Sequence, residues 1–567
     1  MKNINLTKLA LAVFFLLPFG EAGRGFTQSL IRGPYLQSPG QNSIILRWRT
    51  DVATDSRVNF GLTIAANTTT TDDATSTTEH RVKLTGLSPK TTYYYTIGST
   101  SSVLLGPDSL LHFTTAPDTT IPNSFRLWAI GDFGHGNQAE ADVRDSYLRL
   151  AEKEKPADLW LWLGDNAYSD GTDAEFQTKV FDSTFGYGNI FWNLPFASTS
   201  GNHDYNSICP WQPTFCNENP ENHSGPYLDI IDPPIHGELG GVPSNRKLFY
   251  SFDYGDAHFV SLNSELGSLV SSYNWLGLFN SDTSFTSPML DWLKADLAAT
   301  TKKWKIVLWH QTPYSGQDNF TDDGVQQFCV ASRVHFNPII EKFGVDLVLV
   351  SHDHNYQRTF LINGHYGNSS SFTPSMKING TSGKEDLGEP YIKYKNGPMK
   401  DKGAVYVISG NASEGNDYSP ISHPAIYWGE ACGTCFGSFI VDINNDTLRG
   451  RYLASDDTIA DYFTILKKTY VSPEGIEEQK VLGNFTVYPN PSPGKYLVDF
   501  SLKKKSTVRI DVLDAIGKVV YSQNKTTLNP GNHQLTVDLE KSNFAAGNYF
   551  IRLDCEGVSF KKVVKKE

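Results

Sequence analysis

The sequence predicts an α/β domain between two smaller all-β sandwich domains. In the central part, near-continuous apolar runs such as 125–130 and 345–350 each end in glycine or polar residues, and strands that are apolar on both faces belong to a sheet covered by helices. Before residue 117 and after residue 484, apolar and polar residues alternate with period two, which is typical of strands with one buried face. The length of 567 residues agrees with several domains, because one domain averages about 150 residues.

The overall composition excludes several classes of protein. Hydrophobic residues make up 39%, aromatic residues 13% and charged residues 19% of the chain, which excludes a long disordered chain and argues against a coiled coil. The formal net charge is −12, from 49 basic and 61 acidic residues. We therefore expect no broad binding surface for nucleic acid, whereas a local cationic site such as a metal centre could still attract an anionic substrate.

Residues 1–22 predict a secretory signal peptide. Lys2 and Lys8 precede an apolar run at 9–19, and Gly20-Glu21-Ala22 offers small residues for cleavage. The run is shorter than the span of about 20 residues that a membrane helix needs; the alternative interpretation is an uncleaved anchor. No later stretch is long and apolar enough to span a bilayer, so we expect a secreted or cell-surface protein, exported through the periplasm, without stable membrane insertion.

The first domain, 30–117, is predicted as a β-sandwich. Leu46 and Trp48 alternate with arginines, the run 92–96 also has the pattern of a strand, and Leu87-Ser88-Pro89 is a turn signal. Short strands separated by such turns over about a hundred residues indicate a sandwich. This stretch resembles a fibronectin type III domain, and a fold of this kind alone does not indicate a function.

The second domain, 123–465, is the α/β domain, in which helical patterns at 140–153 and 289–299 fit between the apolar strands. A polar linker, 466–483, follows it.

The last domain, 484–567, alternates again and is predicted as a second small β-sandwich. It opens with Tyr488-Pro489-Asn490-Pro491, and 547–551 precedes a Lys-rich end. In these details it resembles the C-terminal sorting domain of the type IX secretion system of Bacteroidota, which implies the type IX secretion machinery as a partner. The alternative is another stalk domain.

Four of the six cysteines form two pairs that are close in sequence. Cys209 and Cys216 lie in a Pro-rich loop, and Cys432 and Cys435 form a Cys-Gly-Thr-Cys motif. Such a motif normally indicates a redox or zinc site, but no second one follows and no thioredoxin-like pattern surrounds it. Because an exported chain can form disulfides, we favour local structural bridges.

Five short polar motifs in the central domain each occur where an apolar strand ends. They are Gly131-Asp132-Phe133-Gly134, Gly164-Asp165-Asn166-Ala167-Tyr168, Gly201-Asn202-His203-Asp204, Val307-Leu308-Trp309-His310 and Ser351-His352-Asp353-His354. In open α/β sheets ligands bind beyond the carboxyl ends of the strands, so we expect the motifs to converge on one rim. Alone, a Gly-Asp after a strand is most often a turn. Together, the buried carboxylates, imidazoles, amide and phenol need a balancing positive charge, which two metal ions would supply.

In order, spacing and residue types the motifs resemble those of the calcineurin-like metallophosphoesterases, and specifically the purple acid phosphatases. The resemblance covers 31–465. Two features indicate the purple acid phosphatases: Gly134, two residues after Asp132, and Tyr168, three residues after Asp165. The resemblance implies a four-layer α-β-β-α sandwich in the central domain and a binuclear metal centre.

The same resemblance implies which side chains bind the two metals. The first metal would be bound by Asp132, Asp165, Tyr168 and His354, and the second by Asn202, His310 and His352, with Asp165 bridging the two. Carboxylates and a phenolate suit Fe³⁺, whereas imidazoles and an amide suit a divalent ion, Zn, Mn or Fe.

The implied function is that of an acid phosphatase, which hydrolyses small phosphate monoesters by attack of a metal-bound hydroxide. His203 is the candidate catalytic residue, which would hydrogen-bond the phosphoryl group or protonate the leaving oxygen; the alternative is that it only supports a ligand. A phosphodiesterase or nucleotide pyrophosphate hydrolase on the same centre is the second hypothesis. A non-catalytic surface binding protein is the remote one.

The sequence departs from the family pattern at two places. Ser351 stands where the family usually has glycine. Residues 317–320 stand where plant members carry a pair of histidines, and Asp318 is the candidate there to assist the leaving group in addition to His203. Two other histidines are not predicted as ligands. His135 lies one residue too far along the chain to match the first-motif histidine of calcineurin-like phosphoesterases other than the purple acid phosphatases. His258 is predicted to pack in the core.

Overall fold

The computed structural model describes most of the chain beyond the predicted signal peptide. The described residues are 28–65, 68–182, 184–205, 225–266, 287–317, 321–322, 326–416, 423–430, 432–471, 481–515, 517–540, 544–555 and 558–567. The signal peptide, Cys209, Cys216 and Asp318 lie outside them. The chain forms two compact units, one comprising Met1–Tyr391 with Gly403–Ile465 and the other Ile392–Lys402 with Leu466–Glu567.

The N-terminal domain is one antiparallel sheet folded on itself around an apolar core. Its strands are β1 Leu30–Gln37, β2 Ser43–Gly61, β3 Thr69–Thr85, β4 Thr92–Gly98, β5 Val103–Leu105 and β6 His112–Thr114. The first half of β2 pairs with β1 and its second half with β4. Shifts in the β2–β3 register between Arg49 and Ser56 mark the place where the sheet turns, and Trp48 and Tyr95 from its two halves share the core.

The Thr-rich stretch 68–78 has no alternating apolar pattern that would predict a strand, yet it is mostly strand. Thr71 pairs with Val58 in the second half of β2, so the long β2 supplies a partner for threonines that carry no apolar periodicity of their own.

The central domain contains two seven-stranded mixed sheets. The first consists of β7 Ser124–Ile130, β8 Leu159–Trp162, β9 Phe196–Ser198, β15 Tyr391–Tyr394, β18 Gly437–Asn444, β19 Thr447–Ala454 and β20 Ile459–Lys468, in the order β15-β20-β19-β18-β7-β8-β9. The second consists of β10 Tyr250–Tyr254, β11 Ala257–Ser261, β12 Trp304–Gln311, β13 Leu347–Ser351, β14 Tyr356–Thr359, β16 Val405–Ser409 and β17 Ile426–Glu430, in the order β10-β11-β12-β13-β16-β14-β17. Strands β7, β8 and β9 are parallel to one another, as are β11, β12, β13 and β16.

The two sheets pack face to face, and helices cover their outer faces. Leu127 of the first sheet and Leu349 of the second lie in the shared inner core. The α-helices are α1 Gln138–Lys153, α2 Asp173–Glu175, α3 Pro226–Ile230, α4 Pro288–Ala299, α5 Gln327–His335 and α6 Asn337–Lys342. On the outer faces, Tyr147 of α1 packs on the first sheet and Leu293 of α4 on the second. The four-layer α-β-β-α sandwich is confirmed.

The C-terminal domain is a second β-sandwich. Its strands are β21 Leu482–Tyr488, β22 Lys495–Leu502, β23 Ser506–Leu513, β24 Val519–Ser522, β25 Thr526–Leu528, β26 Gly531–Asp538, β27 Gly547–Cys555 and β28 Val558–Lys566. They form a three-stranded and a five-stranded sheet, whose apolar faces share one core around Val498 and Ile551.

Cys432 and Cys435 form a disulfide, which agrees with the local bridge expected there. Within the described residues, every helix is too short or too polar to cross a membrane.

Candidate metal centre

The carboxyl ends of parallel strands from both sheets meet at one edge of the sandwich. Backbone hydrogen bonds join the segments that follow these strands: Asp132 N donates to Gly164 O over 3.1 Å and Ala412 N donates to Gly131 O over 3.3 Å. The turns after β7 and β13 also meet, since His352 N donates to Asp132 Oδ2 over 2.9 Å. Polar residues that are far apart in sequence are thereby brought to one place.

Three of the predicted ligands have left-handed backbone conformations. The φ angles of Asp132, Asp165 and His352 are 55°, 50° and 71°, a region that residues other than glycine rarely adopt and that costs about 1–3 kcal/mol per residue. A strand that continued as an extended chain would alternate its side chains between the two faces of the sheet. The left-handed turn directs each of these side chains across the strand ends instead.

Two of the preceding glycines make room for the neighbouring motif. A Cβ at Gly164 would lie 2.6 Å from His310 Nδ1, and a Cβ at Gly201 would lie 2.2 Å from Asp165 Oδ1. The glycine of one motif is therefore required by the side chain of another, which the sequence pattern alone does not show.

Four side chains form a first cluster around the hydroxyl of Tyr168. The Tyr168 hydroxyl lies 3.0 Å from Asp132 Oδ1, 3.2 Å from Asp165 Oδ2 and 3.3 Å from His354 Nε2. His354 Nε2 and Asp132 Oδ1 are 3.2 Å apart. These are the four residues that the sequence analysis assigned to the first metal.

A second cluster is centred on His310 Nε2. Asp165 Oδ2, Asn202 Oδ1 and His352 Nδ1 lie 3.2, 3.1 and 3.2 Å from this nitrogen. Asp165 Oδ2 belongs to both clusters, as expected for a carboxylate that bridges two sites. The structure thus brings all seven predicted ligands together.

The spacing of these atoms fits the coordination of metal ions. A cation with bonds of about 2.1 Å holds neighbouring ligand atoms about 3.0–3.4 Å apart. The Tyr168 hydroxyl and His310 Nε2 each lie at such a separation from three ligand atoms of their cluster. The ligand atoms of Asp165, His310 and His352 all lie within 4.8 Å of one another. The oxygen-rich first cluster suits a hard trivalent ion, and the nitrogen-containing second cluster suits a divalent ion.

The charges at the centre are buried and strongly coupled. Burial alone would raise the pKa of Asp165, but the neighbouring His310 outweighs it and holds that pKa below its usual range. Burial would lower the pKa of His310, and Asp165 raises it instead. Burial and the two carboxylates raise the pKa of Tyr168 well above its usual value. A phenolate at Tyr168 therefore requires a cation in contact with its oxygen.

His203 lies beside both clusters and is partly exposed. Its Nδ1 lies 2.6 Å from Ser169 O, and since a carbonyl oxygen only accepts, Nδ1 carries a proton. Nε2 lies 3.9 Å from Asp165 Oδ2. The nitrogen nearer the centre is therefore the one free to exchange a proton.

The segment that follows β16 also lies beside the metal centre, and it was not predicted from the sequence. Glu414 Oε2 lies 3.3 Å from His135 Nε2 and 3.5 Å from His354 Nδ1, and Ser413 Oγ lies 2.8 Å from His135 Nδ1. The signal was present, because the apolar run 405–408 is followed by Ser409-Gly410-Asn411, the same pattern that identified the five motifs.

A buried pair supports Asn202 from the side of β12. Gln311 Nε2 lies 3.3 Å from Asn202 Oδ1 and 3.0 Å from Glu265 Oε2. Burial raises the pKa of Glu265 to about 7. Neither residue was singled out from the sequence, because Gln311 belongs to no polar motif and Glu265 is distant in the chain.

Three family descriptions match successive parts of the chain. Residues 32–115 match the purple acid phosphatase N-terminal domain, residues 125–356 match the calcineurin-like phosphoesterases, and residues 486–566 match the secretion system C-terminal sorting domain. The three matches follow the order of the N-terminal sandwich, the α/β sandwich and the C-terminal sandwich.

Two proteins named as acid phosphatases are similar to this chain over much of their length. Acid phosphatase type 7 of Danio rerio is 24% identical over 473 residues, which cover 77% of this chain and 91% of that protein. Acid phosphatase A of Cryphonectria parasitica is 26% identical over 386 residues, 57% of this chain and 74% of that protein.

Two solved structures share the fold. The purple acid phosphatase PPD1 from yellow lupin (Lupinus luteus) seeds superposes with a TM-score of 0.55 at 17% identity, over 77% of this chain and 74% of the lupin chain. The structure of PhoD superposes with a TM-score of 0.53 at 13% identity, over 80% of this chain and 95% of that chain.

Proposed function

Since this chain joins a calcineurin-like phosphoesterase domain to the N-terminal domain of purple acid phosphatases and to a secretion sorting domain, we propose that it is an exported acid phosphatase that hydrolyses phosphate monoesters. The observation that carries this proposal is the pair of ligand clusters that share Asp165 Oδ2.

Each cluster would bind one metal ion. The ferric ion would be bound by Asp132, Tyr168 and His354. The divalent ion would be bound by Asn202, His310 and His352. Asp165 would bind both ions. When bound, the two ions supply Lewis acidity, which lowers the pKa of water and neutralises charge on the phosphoryl group. The protein positions the ligands before binding, because the tight turns and the backbone hydrogen bonds already hold the clusters together.

His203 would act on the leaving group. Ser169 O fixes the proton on Nδ1, so Nε2 alone can take up a proton and later donate it to the leaving oxygen or hydrogen-bond the phosphoryl group. Its partial exposure beside the buried clusters fits a residue that contacts substrate. In His203→Gln the side chain could still form hydrogen bonds, but it could not donate a proton to the leaving oxygen.

The names of the relatives support a monoesterase rather than a diesterase. Acid phosphatases and purple acid phosphatases occur among them, and the structure adds no observation that favours a diester or nucleotide pyrophosphate. Turnover of a phosphate monoester and the matching diester on the same purified enzyme separates these hypotheses. Activity confined to the diester would overturn the proposal.

The metal centre is tested with one variant and one matched control. Asp165→Asn removes the charge shared by the two clusters, and we expect metal content to fall and activity to drop at least about 1000-fold. Asp170→Asn, in the same turn but half-exposed, should retain both. Metal analysis and monoester hydrolysis are the measurements. Wild-type activity without bound metal, or full activity of Asp165→Asn, would exclude hydrolysis at this metal centre. Purified wild-type protein with neither bound metal nor activity would instead leave the non-catalytic binding protein.

A further inference from the structure

Ser351 is the residue at which the last motif departs from the family pattern, and it contacts a predicted ligand. We propose that Ser351 is a positioning residue that fixes the proton of His310 on Nδ1 and so leaves the Nε2 lone pair for the divalent metal. This inference rests on the proposed metal centre. It concerns a side chain that no ligand assignment includes.

The hydrogen bonds of Ser351 leave one arrangement of protons. Its hydroxyl is fully buried and lies 2.6 Å from Leu163 O and 2.8 Å from His310 Nδ1. A carbonyl oxygen only accepts, so the single hydroxyl proton of Ser351 goes to Leu163 O. The Ser351 oxygen must then accept from His310, which places the proton on Nδ1.

The other nitrogen of His310 is the one at the centre of the second cluster. With the proton on Nδ1, a neutral His310 has its lone pair on Nε2, which faces Asp165 Oδ2, Asn202 Oδ1 and His352 Nδ1. Partners of this kind fix the orientation and tautomer of ligand histidines, and their removal costs about 10–100-fold in metal affinity. Leu163 O also lies 3.2 Å from His310 Nδ1. Ser351 Oγ, at 2.8 Å, is therefore the nearer acceptor for the proton on Nδ1.

Ser351 also has a dedicated space in the turn after β7. A Cβ at Gly131 would lie 2.4 Å from Ser351 Cβ, so the serine fits only because residue 131 is glycine. Glycine at 351 would remove this contact and leave the backbone oxygen of Ser409, at 3.0 Å, as the nearest neighbour of such a Cβ. Gly131 and Ser351 therefore form a matched pair, which indicates that the serine is accommodated by the packing.

The test compares Ser351→Ala and Ser351→Gly with Ser261→Ala. Ser261 is also buried, and its hydroxyl donates to a backbone carbonyl, Ser198 O, over 3.0 Å. For zinc-loaded protein, competition with a chromophoric chelator measures the Zn²⁺ dissociation constants, and thermal unfolding measures stability. We expect Ser351→Ala to weaken one of the two zinc sites about 10–100-fold. Ser261→Ala should lose similar stability while keeping wild-type zinc affinity.

The wild-type protein provides a test that needs no folded variant. With ¹⁵N-labelled histidine and bound Zn²⁺, the ring nitrogens of His310 should show a protonated Nδ1 coupled to its hydrogen and a metal-bound Nε2. A proton on Nε2, or unchanged zinc affinity in both Ser351 variants, would overturn the inference while the metal centre stands. Wild-type protein that takes up no zinc would instead overturn the proposed function, and the inference with it.

Discussion

Two imidazole rings pack against the phenol of Tyr168. The His135 ring stacks on it with centroids 3.9 Å apart, and the His203 ring lies 4.6 Å away. His135 is itself fixed by Ser413 Oγ at 2.8 Å, whose hydroxyl donates to Asp132 O over 2.7 Å. The orientation of a predicted metal ligand therefore depends on a histidine outside the predicted ligand set.

Replacement of His135 should disturb Tyr168 without removing a ligand. His135→Ala loses a stacking contact worth about 0.5–1.5 kcal/mol, and we expect a threefold to tenfold lower kcat, as an order of magnitude. We also expect a shift of the visible absorption that the proposed ferric ion would give when bound to the Tyr168 phenolate. His135→Phe keeps a ring on Tyr168 and should retain the absorption. Spectra and steady-state kinetics of the two variants are the measurements. Identical spectra for the alanine variant and the wild type would show that the stack is only packing.

The N-terminal sandwich contacts the segment that follows the Tyr168 turn. Arg32 of β1 is buried, and its Nη2 lies 3.0 Å from Asp173 Oδ1; Arg49 of β2 binds the other oxygen of this carboxylate at 2.5 Å. In the same segment, Lys179 Nζ donates to Tyr168 O. Two strands of the first domain thereby hold the element that supports a predicted ligand of the second.

Loss of the Asp173 charge should destabilise this contact. Asp173→Asn leaves the buried Arg32 without its counter-charge, and hydrogen bonds to charged groups contribute about 1.5–3 kcal/mol each, so we expect a loss of about 2 kcal/mol. Asp72→Asn is the control, because Asp72 is about as exposed as Asp173, whereas its partner Arg57 is partly exposed and Arg32 is fully buried. Exposed pairs contribute about 0–1 kcal/mol. Urea unfolding measures both. Equal losses for the two variants would contradict a special role for Asp173.

A buried histidine links β11 to α4 by charge. His258 Nδ1 lies 2.8 Å from Asp253 Oδ1 and Nε2 lies 2.7 Å from Asp296 Oδ2, while Lys302 Nζ lies 3.6 Å from Asp253 Oδ2. Burial would lower the pKa of His258, but the two carboxylates raise it above its usual 6.5. The sequence predicts that His258 packs in the core. In the structure its ring lies there between the carboxylates of Asp253 and Asp296.

This arrangement predicts a pH dependence of stability. The folded pKa lies above the unfolded one, so the contribution of His258 is fully present below the unfolded pKa of about 6.5 and is lost as the pH rises through the folded pKa. The difference in free energy of unfolding between wild type and His258→Asn should therefore be largest near about pH 6 and decrease toward alkaline pH. Urea unfolding at several pH values measures it. A difference that grows with pH would show that His258 is neutral in the folded protein.

The sequence predicts the position of the strand ends better than the contacts between them. Apolar runs that end in polar residues sufficed to place Asp132, Asp165 and His310 on one rim, because that rule depends only on local pattern. The left-handed turn at His352 and the bond from Ser351 to Leu163 O could not be predicted, since they depend on the packing of one sheet against the other. Long-range ion pairs such as Arg32–Asp173 could not be predicted either, since they depend on how distant parts of the chain pack together.

At the scale of the whole molecule, the catalytic and sorting parts have separate cores. The inner core of the α/β sandwich is built from residues up to Ile465, and the core of the C-terminal sandwich is built from residues after 480. The last strand of the two catalytic sheets ends at Lys468. Since a domain with its own core can fold alone, export and catalysis should be separable by truncation.

A chain that ends after Val471 should therefore remain active but not leave the cells. It keeps both seven-stranded sheets and all seven predicted metal ligands, so we expect kcat/KM within about twofold of the full-length enzyme. Loss of the sorting domain removes the signal for release from the periplasm, so the truncated chain should stay with the cells. The full-length Asp165→Asn variant is the reciprocal control, which should be exported without activity. Phosphatase assays of cell extract and medium measure both. Secretion of the truncated chain would refute the sorting role, and loss of its activity would show that the catalytic unit needs the C-terminal domain to fold.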